Sequence, residues 1–231
     1  MRQGTPIERE EDLRDFAQFV RCTASLRHLM PLRAFDPLAR GLIAKADPEF
    51  AHDEYVAFVA AQLFAGGLAV RPPAHTHRST LDLRVDAGIL SGKTLFFECK
   101  ERNPTASREP GPLLSYIESE LAGARGQLAG HARGTRGIAC VDLGVVTDGA
   151  DPAEADVLAL FRRKLARGPL IGILLSSTRL VISEDDQRFV PVFRSGRYLS
   201  RRLRHEHDCA LRPNVLEALV SALRFVHPVP L

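Results

Sequence analysis

Long apolar runs, paired cysteines and lysines are scarce in this sequence, and each shortage excludes something. No apolar run is long enough to cross a bilayer, and Met1-Arg2-Gln3-Gly4-Thr5-Pro6 does not open a signal peptide, so the expectation is a cytoplasmic chain with no membrane association. The four cysteines, Cys22, Cys99, Cys140 and Cys209, are scattered without paired spacing. They read as reduced, mostly buried thiols rather than a disulfide framework. Net charge is only +3, so whole-protein electrostatics argues little for a polyanionic partner. Lysine occurs at Lys45, Lys93, Lys100 and Lys164 alone; the other 27 of the 31 basic residues are arginine. Codon bias in a GC-rich genome is the bland explanation for that ratio. It still raises the question of whether arginine could stand in for each lysine. At Lys100 the chemistry is specific, because an ammonium is a compact charge whose pKa shifts readily while guanidinium stays protonated.

What is present fits an ordinary globular protein. The 231 residues, 45% apolar and 26% charged, can bury a core without disulfide or metal staples. Residues 7–45 have helical spacing, with Leu13, Phe16, Phe19 or Val20, and Leu26 on one stripe. Asp36-Pro37 makes a good helix start, and another helix begins after Asp47-Pro48 and stops at Gly66-Gly67. From Val56 to Ala65 that helix has Gln62 as its only polar residue, so it is expected to be buried nearly all round. The period then changes to two in "LAVRP", "LDLRVDA" and "TLFFECKE", the last two paired as a hairpin across Gly88 to Gly92. A helix with Leu114, Ile117, Leu121, Ala124 and Leu128 on one stripe follows, then the apolar strand "GIACVDLGVV". Further elements are expected as a helix near 152–167, strands near 170–176, 178–183 and 188–193, and a helix near 213–226. The fold class is α/β, with an N-terminal helical extension over residues 1–47 and the main domain over residues 48–231.

The chemistry concentrates in "TLFFECKER". Along this strand Phe97 and Cys99 point one way while Glu98 and Lys100 share the other face. In "LDLRVD", Asp82, Arg84 and Asp86 alternate with the apolar residues, so a hairpin would bring Asp82 toward Glu98 and Lys100. Two carboxylates and a lysine at a sheet edge can hold a hard cation such as Mg2+ through oxygen ligands and leave waters on it. The other reading is a cross-strand ion pair on a solvated face, worth about 0–1 kcal/mol. Asp86 competes with Asp82; the strand-interior position favours Asp82, since Asp86 abuts the Ala87-Gly88 turn.

Two helices add to this set. Glu54 has Ala57, Phe58 and Ala61 on its own helix face, so its carboxylate needs a partner, either a metal or Lys100, unless it sits at a frayed helix start. Glu120, Gln127 and His131 line one flank beside the apolar stripe of the later helix, each a normal surface residue alone and together a second helix bordering the same site.

A helix with Glu, a strand, Asp on strand two, Glu-x-Lys on strand three, then a helix carrying Gln resembles the layout of the PD-(D/E)XK, or restriction-endonuclease-like, nuclease superfamily. "DEYVAFVAAQLFAGGLAVRPPAHTHRSTLDLRV" followed by "LFFECK" is most similar to the branch with archaeal Holliday-junction resolvases. The resemblance covers about residues 48–145 and rests on short motifs; Leu81 stands where a proline usually precedes the aspartate. It implies a core of helix, three strands, helix and strand, with N-terminal helical and C-terminal strand and helix additions. It further implies Asp82, Glu98 and the Cys99 carbonyl as metal ligands, Lys100 as the catalytic lysine, and Glu54 and Gln127 as supporting catalytic residues. The implied activity is Mg2+-dependent endonuclease cleavage of DNA, with Mn2+ able to substitute, in restriction, anti-phage defence or DNA repair. The fold alone does not fix a substrate. The alternative is a non-cleaving DNA-binding or protein-interaction subunit, and a homodimer or a partner protein of a larger assembly is a further expectation.

Arg194, Arg197, Arg201, Arg202 and Arg204 follow the last expected strand as either a solvated face or a phosphate-contacting patch for DNA. His75-Thr76-His77 and His205-Glu206-His207-Asp208-Cys209 lack the paired motifs of a structural zinc site and read as exposed loop residues.

Overall fold

The computed structural model describes residues 10–44, 50–65, 67–72, 81–85, 94–101, 110–131, 135–145, 156–157, 159–160, 163, 168–182 and 189–199. Side chains of residues 10–14 and of those after 178 lie outside that description. Helix α1 (Glu10–Leu29) leads through a 3-10 turn at Arg33–Phe35 into α2 (Asp36–Ala44) and then α3 (Phe50–Ala65). Strands β1 (Val70–Arg71), β2 (Leu83–Val85) and β3 (Leu95–Lys100) come next, followed by α4 (Pro110–His131) and β4 (Arg136–Val145). Scattered described positions between 156 and 163 are helical, where the sequence predicts a helix. The described chain closes with β5 (Leu170–Ile182) and β6 (Phe189–Leu199).

The six strands form one mixed sheet whose spatial order follows the chain, β1-β2-β3-β4-β5-β6. The β1–β2 and β2–β3 pairs are antiparallel, β3–β4 and β4–β5 parallel, and β5–β6 antiparallel. A parallel pair needs a crossover, and α4 provides it between β3 and β4. Both faces of the central strands are therefore covered. On one face Leu95, Phe97, Cys99, Ile138 and Cys140 pack with α1, α2 and α3 in a single apolar cluster. On the other, Ala139, Val141 and Leu143 pack against Ile117, Leu121, Ala124 and Leu128 of α4. An apolar run such as "GIACVDLGVV" reflects this double coverage, since every residue from Ile138 to Leu143 is buried.

Helix α3 is apolar all round because it is sandwiched between the sheet and α1, with Tyr55 to Leu63 all buried. The helical extension takes part in the same core through Val20, Cys22, Leu29, Phe35 and Leu42. Of the two α1 candidates, Val20 faces inward and Phe19 is exposed. Gly137 lets α4 approach the sheet closely: a Cβ there would lie 2.9 Å from the Phe96 carbonyl oxygen and would collide with Leu128. That approach fixes the helix turn next to Gln127 against β3.

The structure corrects the C-terminal strands. Residues expected as two strands form the continuous β5, because Ser176, Ser177 and Thr178 are accommodated in the core rather than in a turn. Tyr55 donates its hydroxyl to Ser176 Oγ at 3.2 Å, which satisfies one of these buried groups. β6 runs to Leu199, beyond the 193 expected, because it pairs with β5 from Phe189 to Leu199 along nearly its whole length. Arg194 and Arg197 thus belong to the strand, opposite Ser177 and Leu174, instead of following it. β6 is the edge of the sheet, where charged residues are common and discourage further pairing. Among the described residues no helix is long and apolar enough to cross a membrane. Cys22, Cys99 and Cys140 are buried free thiols.

Candidate metal and catalytic site

Strand parity sets the arrangement. Phe97 and Cys99 enter the α3 side of the sheet, while Phe96, Glu98 and Lys100 face α4. The β2–β3 register ends at the Leu83–Phe97 pair, and its continuation would bring Asp82 opposite Glu98. At that point β2 leaves the ladder, and the Asp82 side chain takes the partner's place. The Cys99 amide N–H donates to Asp82 Oδ2 at 2.7 Å. The second oxygen, Oδ1, lies 3.2 Å from His52 Nε2 in the first turn of α3. This contact raises the His52 pKa, against the effect of burial.

Glu98 is 1% exposed, in the angle between β3 and α4. Lys100 Nζ donates to Glu98 Oε1 at 2.8 Å and to Gln127 Oε1 at 2.5 Å, so the ammonium is held between strand and helix. Glu98 Oε2 is buried with no hydrogen-bond partner among the described residues. Burial, reinforced by the Asp82 charge, pushes the Glu98 carboxyl up to about 7, although Lys100 pulls the other way. Glu120, one helix face along from Gln127, has its pKa raised by burial and lowered in part by the Lys100 charge. His131 packs edge-on against Phe96 with ring centres 4.7 Å apart, four strand residues before Lys100, and takes no part in the cluster.

The structure corrects the expectation for Glu54. Its partner is not Lys100 but Arg21 of α1, which the sequence did not single out. Arg21 Nε and Nη2 donate to the two Glu54 oxygens at 2.8 and 2.5 Å, and Nη2 also lies 2.7 Å from Asp142 Oδ2. The guanidinium lies over the rings of Tyr55 and Phe58, 5.5 and 5.1 Å from their centres. Burial disfavours its charge, but Asp142 and Glu54 together hold the Arg21 pKa above its ordinary value. Burial likewise pushes the Glu54 carboxyl up, with Arg21 pulling it down. The physical reason for the correction is sheet parity. Glu54 and Asp142 lie on the α3 face, whereas Glu98 and Lys100 lie on the α4 face.

Arg21, His52, Glu101 and Asp142 are the polar residues of this region that sequence reasoning missed. Asp142 carried a signal, a lone acid inside a strand buried on both faces. Arg21 carried a weaker one, a cation between Val20 and Cys22 on the inward stripe. Asp142 also caps its own strand end, its Oδ1 accepting the Gly144 amide at 2.8 Å. Glu101 follows β3 directly; Tyr116 of α4 donates to its carbonyl oxygen at 2.6 Å, which ties the strand end to the helix. Burial raises the Glu101 carboxyl pKa, with His52 opposing.

Asp86, His75, His77, Arg201, Arg202, Arg204 and the histidines near 205 lie outside the described residues, as does the helix expected near 213–226. For Arg194 and Arg197 only the backbone is described.

Among the described residues no group of three or more His, Cys, Asp and Glu side chains is gathered as a metal cage. Mg2+ does not require one, because it is commonly held by one or two carboxylates with waters and substrate oxygens completing an octahedron. Asp82 and Glu98 supply two neighbouring carboxylates of the kind such a site uses. Lys100 engages Glu98 Oε1 and leaves the buried Oε2 without a hydrogen-bond partner among the described residues, an oxygen that fits a hard divalent ion.

No protein-family model matches the chain, and no curated protein matches it significantly. Among solved structures, the central domain of yeast acetyl-CoA carboxylase aligns at 11% identity and TM-score 0.32, over 62% of this chain and 22% of that one. Pyrococcus furiosus SfsA in complex with Ca2+ aligns at 14% identity and TM-score 0.31, over 68% of this chain and 66% of that one. The chain therefore spans less than two thirds of either protein's length, and likenesses this distant fix neither its fold family nor its activity.

Proposed function

We propose that this chain is a Mg2+-dependent endonuclease of the PD-(D/E)XK type, with a restriction-endonuclease-like core, acting on DNA. One observation carries the reading: Glu98 is buried with Oε1 on Lys100 and Oε2 without a partner, beside the Asp82 carboxylate. Two acids placed together in this way repel a phosphodiester unless a cation sits with them. Asp82 and Glu98, with the Cys99 peptide bound to Asp82, would hold it. Bound there, Mg2+ would lower the pKa of a water and neutralise charge on a phosphoryl oxygen. Lys100 has three N–H donors, and Glu98 and Gln127 engage two of them. The third can orient a water or meet a phosphoryl oxygen. Gln127 holds the ammonium in place, and Glu98 keeps it close to the phosphate. In-line attack would then leave 5′-phosphate and 3′-hydroxyl ends.

A second reading, a non-cleaving interaction subunit, draws on Phe19, Met30 and Ile43. These large apolar side chains, on α1, the turn after it and α2, are each about two-thirds or more exposed. Incubation with supercoiled, linear, branched and single-stranded DNA, with Mg2+ and with EDTA, separates the two. Metal-dependent cleavage of any of these supports the nuclease, and no cleavage of any of them in Mg2+ or Mn2+ favours the interaction subunit.

A further inference from the structure

We infer that His52 is a positioning residue for Asp82, a role that rests on the nuclease reading and deepens it. Asp82 lies one residue outside β2, beyond the last backbone pair of the β2–β3 ladder, so its orientation depends on side-chain contacts. Two contacts set it, one on each carboxylate oxygen. The Cys99 N–H holds Oδ2 at 2.7 Å, and His52 Nε2 meets Oδ1 at 3.2 Å from a different element and direction. An ionised carboxylate only accepts, so Nε2 is the donor, and both the imidazolium and one neutral tautomer supply that N–H. The role therefore does not depend on the charge of the ring.

The position of His52 makes the contact selective. The residue belongs to the first turn of α3, which is anchored two residues on by Glu54 through Arg21 and three residues on by Tyr55 through Ser176. The anchored helix end thus presents the imidazole to the aspartate just beyond the end of the β2–β3 ladder. The side chain is 37% exposed, which places it at the rim of the site rather than in the core. Its removal would leave the apolar clusters intact and free one oxygen of Asp82 to turn away from Glu98. Groups that orient a metal-binding carboxylate in this way affect metal affinity more than folding.

The test compares wild type, His52→Ala and His52→Gln, whose amide nitrogen can reach the position of Nε2. Mn2+ binding is measured by calorimetry and by electron paramagnetic resonance, together with the thermal midpoint of the metal-free proteins. The expected result is Mn2+ affinity weaker by about 10–100-fold in His52→Ala, with recovery in His52→Gln and similar thermal midpoints for all three. Wild-type affinity in His52→Ala, or tighter binding there, overturns the inference, and so does a His52→Gln protein as weak as His52→Ala. If wild type itself neither binds Mn2+ nor cuts DNA, the nuclease reading fails first. If wild type does both and His52→Ala matches it, the role of His52 alone fails.

Discussion

Arg21 and Glu54, one on each of two packed helices, meet through a pair of hydrogen bonds, Nε to Oε1 at 2.8 Å and Nη2 to Oε2 at 2.5 Å. Asp142 joins the same guanidinium from β4, so the N-terminal helix is bound to both α3 and the central sheet by buried charge. Such a group costs much to open, because a lone partner is left charged out of water. Arg21→Ala is expected to lower unfolding free energy by about 3–5 kcal/mol, read by urea denaturation at neutral pH. Arg21→Lys should recover only part of that, since an ammonium cannot reproduce the paired donors. Because Glu54 serves Arg21, Glu54→Gln should reduce stability while leaving Mn2+ affinity close to wild type. Loss of metal binding with unchanged stability would return Glu54 to the metal site.

Glu98 gives the metal-free protein a defined pH dependence. Burial beside Asp82 pushes its carboxyl up to about 7 in the folded state, against an ordinary value of 4.5 in the unfolded chain, so between those values the folded state holds a proton the unfolded chain has released. Stability from this group is fully present below about pH 4.5 and is lost as pH rises through about 7, with a total of about 3 kcal/mol. Glu98→Gln should remove that slope from a plot of unfolding free energy against pH. Saturating Mg2+ should oppose the loss in wild type, since the ion takes the ionised carboxylate, and Mg2+ affinity should rise with pH up to about 7.

Lys100 and Gln127 should separate chemistry from positioning. Lys100→Ala is expected to reduce the single-turnover cleavage rate by about 10²–10⁴-fold, while DNA binding in Ca2+ largely survives. Gln127→Leu keeps the Lys100 ammonium and removes the Gln127 contact on Nζ, so its rate should fall by less than that of Lys100→Ala. Equal losses in the two variants would mean that Gln127 itself meets substrate.

The arginine-rich segment provides the test for DNA as the partner. Each phosphate neutralised by an arginine contributes about 0.9 units to the slope of log affinity against log salt on duplex DNA. Replacing Arg201 and Arg202 with alanine should flatten that slope by about two units and weaken binding evenly across sequences. An unchanged slope would assign these two residues to a solvated face.

The sequence made the local part of this arrangement legible. Strand alternation put Glu98 and Lys100 on one face, and helical spacing put Gln127 beside the stripe that packs on it, both being short-range consequences of backbone geometry. Glu54 was legible as a buried acid needing a partner, but Arg21 was not, because the two are far apart in sequence and nothing local says which cation meets which acid. His52 escaped for the same reason, since its partner Asp82 is far from it in sequence. Asp142 was hidden in plain apolar sequence, where its neighbours gave strand and burial but not the guanidinium it meets. The continuity of β5 was not legible because buried serines look like turn residues until a tyrosine hydroxyl is found opposite Ser176, and the length of β6 depends on its pairing with β5.

The most direct measurement of the central claim is the Mg2+-dependent cleavage rate of one DNA substrate by wild type, Glu98→Ala, Asp82→Asn and Asp86→Asn. Glu98 and Asp82 acting as one metal site predict that either variant falls by about 10²-fold or more, while Asp86→Asn keeps most of the activity. A Glu98→Ala protein that cuts at the wild-type rate in Mg2+ would contradict the account.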